Sequence, residues 1–359
     1  DEAEQFLERH IKVPKDSPLG RAVLEDSDRF PERLAGYARY FEDHPEARTN
    51  ERLPTEARDL TSGGLVSGLL GRVGDPFLRE VLLHAAPLRW FNAELLTGIA
   101  EVCGLRPAPD GPAAPGLLDI GQRPSWVSNL GGGWGIDVDA RRRAVVDEFR
   151  RLHPGLYRRV HLYAARYHVT RLRELEGALA DDAGLVSEQA VLDYQPTTHP
   201  TDRLRWDEYL AALAEWLYHL LALSPRRGFA RLADHVGEAL AWERPAAAVS
   251  LLDIGVEVTL PGSEALARQR LLEVVRSVHN GRHADTLQLL DEFSAGGSAS
   301  AIADAAAHYL AGTRLVLLGR SPLAVHDQFE RAETLLGGTD GGVQARSLRC
   351  LNLTQLAAA

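Results

Sequence analysis

Three stretches of helical character carry a carboxylate and a histidine four residues apart: Glu80 with His84, Glu215 with His219, and Asp304 with His308. At that spacing both groups project from one face of a helix, so each pair can offer two ligands to a metal ion. A bundle-type di-iron site needs a different pattern, Glu-x-x-His on two helices plus two further glutamates, and these pairs are one residue too long for it. With a single iron they would suit a non-haem iron oxygenase. The commoner result of an i, i+4 pair is a surface contact worth ~0.2–0.5 kcal/mol. Other signatures are missing from the sequence: no HExxH zinc motif, no Walker-type phosphate loop, no GxSxG elbow and no CxxC pair. The glycine run Gly131 to Gly135 lacks the strand-before, helix-after setting of a dinucleotide loop.

A second chemistry is suggested by the segment Arg276 to Leu290, which presents His279 and His283 and runs into the turn Ser294, Ala295, Gly296, Gly297, Ser298 before another helix. This segment resembles the haem-binding stretch of the tryptophan and indoleamine dioxygenase superfamily, the histidine-ligated haem-dependent aromatic oxygenases. There an Arg-x-x-His stretch late in the chain supplies the proximal ligand and a Gly-Gly-Ser-like turn follows. The resemblance implies haem b with His283 on the iron, and Gly296, Gly297 and Ser298 near the haem propionates or an amino-acid substrate. Upstream, the helix ending at Leu223-Ser224-Pro225, with Phe229 and Leu232 beyond it, is similar to a helix pair of the same superfamily. Tyr167 to Glu174 is similar to the helix that offers a distal histidine, which implies His168 as the distal group and Arg171 as the partner of a substrate carboxylate. His279 could replace His283, and His308 or His326 could be a second axial ligand. The plainer alternative for a lone histidine such as His283 is a helix-surface or satisfied core residue.

Aromatic residues could wall the pocket of an aromatic substrate, with Trp126 and Trp134 of most interest because they lie in a Pro/Gly-rich loop. Anchoring that loop to the helices is the other role open to them.

The elements that must position these groups are mostly helices, since apolar residues return every three or four positions and alternating β-branched runs are few. The expected fold is all-α, a large helical bundle-like domain with an N-terminal helical region and a Pro/Gly-rich connecting loop. The sequence divides into a helical region over 1–105, a loop or linker over 106–137 rich in Pro107, Pro109, Pro112, Pro115 and Pro124, and a helical cofactor-binding region over 138–359. Packing of the last with the first as one domain is the alternative reading. Within it, Val138 to Asp181 reads as one long arginine-rich helix kinked at Pro154. Thr201 and Asp202 read as an N-terminal signal for a helix ending at Ser224-Pro225. Val249 to Leu260 reads as strand-like, because Ile254, Val256 and Val258 alternate. Long helices follow over Glu264 to Phe293 and Ser300 to Leu318.

Composition limits the setting. The 359 residues are 45 % hydrophobic and 25 % charged, the balance of a globular protein with a real core. Forty basic against fifty acidic residues give a net charge of −10, which disfavours nucleic acid and anionic lipid. Cys103 and Cys350 are too few for a disulfide framework or a four-thiolate zinc site, and a reducing, cytoplasmic location is expected. No apolar run approaches the ~20 residues that span a bilayer, and the acidic residues from Asp1 to Glu8 do not read as a signal peptide.

The function implied by the resemblance is a haem-dependent oxygenase or hydroxylase acting on an aromatic amino acid or indole-derived metabolite with dioxygen or peroxide, in bacterial secondary metabolism, and analogy with such enzymes implies a homodimer. The alternatives are a non-catalytic helical scaffold for a peptide or protein partner, and a non-haem iron oxygenase.

Overall fold

The computed structural model describes the chain apart from residues 1, 28, 30, 51, 55–56, 58–69, 72, 108–115, 117–126, 130–132, 137–138, 177–187, 195–202, 256–257, 259, 296–299, 339–342 and 359. The protein is all-α: among the described residues, the only strands are β1 (Val127–Asn129) and β2 (Trp134–Ile136). Two compact units divide the chain, Asp1–Tyr163 and Ala164–Ala359.

The first unit begins with α1 (Glu2–Phe6), α2 (Pro18–Ser27) and α3 (Pro31–Asp43), which bury Leu7, Ile11, Leu19, Val23, Tyr37 and Phe41 in a common core. Helices α4 (Pro76–Ala85) and α5 (Ala93–Cys103) follow. Asp75 and Asn92 cap them, each side chain accepting from a backbone N–H three residues on at 2.8 Å. β1 and β2 pair antiparallel with Asn129 opposite Trp134, and Trp134 also exchanges backbone hydrogen bonds with Phe91. The Trp134 side chain is buried with its ring 6.5 Å from that of Phe91, so this tryptophan packs against the segment that joins α4 to α5. Trp126 lies outside the described residues.

The expected single helix from Val138 is two, α6 (Asp139–Leu152) and α7 (Pro154–Leu175), and the boundary between the units falls inside α7. Pro154 has no N–H to continue α6, and its fixed φ suits the first position of a new helix, so it starts one where a kink was expected.

In the second unit α8 (Glu188–Asp193) precedes α9 (Arg203–Leu223), α10 (Pro225–Ala241), α11 (Pro245–Ile254), α12 (Gly262–His279), α13 (His283–Ala295), α14 (Ala301–Leu317), α15 (Pro322–Gly337) and α16 (Val343–Ala358). Helix α10 is the hub. It packs against α9, α11, α12, α14 and α16, and every residue from Leu232 to Ala241 is buried. Close approach to α14 requires Gly237, where an added Cβ would stand 2.8 Å from that of Ala306. The outer part of the core joins Ala305, Tyr309, Phe329, Ala332 and Leu348.

Val249 to Ile254, expected as part of a strand, lies in α11, because Pro245 opens a helix at Pro-Ala-Ala-Ala before the short alternation can act. The expected helix from Glu264 to Phe293 breaks into α12 and α13 at Gly281, whose φ of +65° is left-handed. There the Ser277 and Thr286 hydroxyls lie 2.7 Å apart across the turn.

Candidate metal centre

Helix α7 carries His168 on a face that also holds Arg171, and α9 carries Glu208, Glu215 and His219 along one stripe. Arg171 reaches Glu208 at 3.1 Å, while His168 stacks on His219 with ring centroids 5.7 Å apart and planes inclined by 18°. Positions that rise along α7 therefore meet positions that fall along α9, so the two helices run antiparallel.

At the inner end of this seam one ligand atom from each of His168, Glu215 and His219 lies within 4.8 Å of the others. Among the described residues this is the one place where three such donors meet. His168 and His219 are buried, at 4 % and 0 % exposure, and Glu215 is half-buried. Donors held by one ion at ~2.0–2.2 Å in tetrahedral array stand ~3.4 Å apart, so closing on a metal asks each side chain to move by less than about 1 Å.

Protonation favours the same chemistry. Burial pushes the His168 imidazole down to about 3, so at neutral pH it is uncharged and its lone pair need not be freed from a proton. His168 Nε2 is buried and has no hydrogen-bond partner. Such an atom costs ~1–3 kcal/mol in desolvation unless something meets it. Two histidines and a glutamate are a ligand set suited to a divalent ion and known both from catalytic zinc sites and from the facial triad of non-haem iron oxygenases. Three protein ligands leave positions for water, dioxygen or substrate.

The other residues that sequence reasoning singled out do not join this cluster. Arg171 is 47 % exposed and bonds the chain's own Glu174 (2.9 Å) and Glu208, so its carboxylate partners are internal. His283 is the half-buried first residue of α13, and its backbone N–H donates to Gly281 O at 3.0 Å. Gly296, Gly297 and Ser298 lie outside the described residues. His279 is exposed, His308 holds Gln328 Oε1 at 2.8 Å through Nδ1, and His326 lies 3.3 Å from Glu330.

The remaining carboxylate–histidine pairs differ in kind. His84 Nδ1 donates to its own helix at the Glu80 carbonyl (2.7 Å), and its ring packs on Phe149 at 4.8 Å and beside His153 at 6.1 Å. What sequence reasoning missed is the meeting of His168 with the Glu215–His219 pair. Each member carried a signal, but nothing in the spacing set α7 against α9.

The same unit buries further polar groups: Asp234, His235 and Glu238 of α10 are all buried, with His235 Nδ1 3.7 Å from Glu238 Oε2. Burial pushes the Asp234 carboxyl up to about 6 against its hydrogen bond to Ser300, the residue whose side chain caps α14. Comparison with protein-family models, with curated proteins and with solved structures finds no match for this chain.

Proposed function

We propose that the protein is a metal-dependent enzyme with a mononuclear centre formed by His168, Glu215 and His219, and that iron(II) held there activates dioxygen. The observation that carries this reading is the convergence of two buried histidines and a glutamate from two helices, with one imidazole nitrogen left without a hydrogen-bond partner. The ligand set leaves coordination positions open, as oxygen activation requires. The helical surroundings limit water around the ion and so strengthen its electrostatic effect on a bound group.

Metal analysis and the absorption spectrum of the purified full chain, reconstituted anaerobically with iron(II), test it together. The expected result is one iron per chain, no porphyrin band, and loss of the iron in His219→Ala. A strong Soret band lost in His283→Ala would overturn the assignment in favour of the haem enzyme implied by the resemblance around His283. A chain that takes up neither iron nor hemin would leave no support for an oxygenase of either kind.

A further inference from the structure

The residue after Glu215 in α9 begins a pair of oxidisable aromatic side chains, Trp216 and Tyr194, that metal binding alone does not use. Trp216 follows Glu215 in α9 and precedes His219 by three residues, a spacing that puts Cβ atoms ~5–6 Å apart on a helix. Its indole is fully buried, and the ring Nε1 has no hydrogen-bond partner. The Tyr194 ring meets Trp216 edge to face at 5.7 Å. On its far side the Tyr194 hydroxyl donates to Glu176 Oε2 at 3.2 Å, and the Arg173 guanidinium lies 5.3 Å from the ring centroid.

We propose that Tyr194 is a redox-active tyrosine that delivers one electron through Trp216 to the metal centre, with Glu176 receiving its proton. This rests on the metal reading above. Dioxygen is the oxidant: when it is reduced at the centre, one electron leaves the Tyr194 ring, crosses the indole and reduces the centre by one equivalent. The phenolic O–H bond breaks in the same event. The proton moves along the existing hydrogen bond to Glu176 Oε2, leaving a neutral tyrosyl radical and a protonated Glu176 carboxyl. The Tyr194–Glu176 pair thus passes from a net charge of −1 to neutral as the electron leaves and no phenol cation forms, which matters because Tyr194 is buried and such a cation would lack solvation. Burial, and next the Glu176 carboxylate, hold the Tyr194 phenol well above its ordinary value, so the proton stays on the oxygen until the electron goes. Arg173 over the ring opposes loss of the electron, so only a strong oxidant at the centre draws it.

The test is to mix the full chain, loaded anaerobically with iron(II), with oxygenated buffer, freeze at millisecond intervals and record electron paramagnetic resonance spectra. A radical signal that narrows when the tyrosines are ring-deuterated is expected. Tyr194→Phe removes only the hydroxyl and keeps the packing on Trp216, so it should bind iron normally and lose the signal. Trp216→Phe should lose the rapid phase of its appearance. Iron that binds and is oxidised by dioxygen without a tyrosyl signal, or a signal undiminished in Tyr194→Phe, would overturn the relay and leave the metal site standing. A chain that binds no iron would overturn both.

Discussion

Helix α4 in the first unit and helix α9 in the second carry the same motif, a glutamate followed four residues later by a buried histidine, and use it differently. In α4 the imidazole of His84 turns back on its own helix and spends its Nδ1 proton on the Glu80 carbonyl, with aromatic rings around it. In α9 the imidazole of His219 faces outward to a second helix, stacks on His168 and shares a ligand-sized space with Glu215. Spacing decides only that two groups share a face. Whether they form a site is decided by the third donor that packing supplies, here His168.

The sharpest way to break this contrast is to remove one histidine from each helix. His219→Ala should abolish stoichiometric metal uptake. His84→Ala should leave uptake unchanged and instead cost about 2–5 kcal/mol of stability, the range for emptying a buried side-chain site, as read by urea unfolding. Loss of metal in His84→Ala would erase the distinction.

Acid should act on both units. Burial pushes His161 in the first unit and His168 in the second down to about 3, with Arg142 adding to the effect at His161. The unfolded chain binds these protons near 6.5 and the folded chain only near 3. Stability is therefore full above about pH 6.5 and declines as pH falls from there toward 3, by on the order of a few kcal/mol for each histidine. Urea midpoints measured from pH 7 to pH 4 check this, and His168→Gln should flatten the decline. A flat profile in the parent chain would mean that these imidazoles are solvated.

The smallest effect belongs to the outer end of the seam. Arg171 ties α7 to α9 through Glu208, but the pair is exposed, so Arg171→Ala should cost about 0.2–1 kcal/mol and the loss should fade at high salt. Metal stoichiometry should not change. A large loss of metal in this variant would promote Arg171 from clasp to positioning residue.

The fold class was legible because 3.6-residue periodicity runs through nearly every segment. Breaks were harder to read. Pro154 and Gly281 each permit either a kink or a stop, and only packing chooses. At Val249 to Ile254 a short alternating run competed with an alanine-rich helix start, and burial of Leu251, Leu252 and Ile254 on the hub side of α11 favoured the helix. The site was legible in pieces. The Glu215–His219 pair followed from spacing, and His168 was singled out through a family resemblance, yet their convergence depends on antiparallel packing between helices more than 25 residues apart, which no local pattern encodes.

The most direct test of the account is an anaerobic titration of the metal-stripped full chain with cobalt(II), a spectroscopic substitute for iron(II), followed by visible absorption in the parent chain and in His168→Ala, Glu215→Ala and His219→Ala. Ligand-field bands should saturate at one cobalt per chain in the parent and fail to develop in all three variants while each remains folded. Saturable bands of unchanged intensity in His168→Ala, or no uptake by the parent chain, would contradict it.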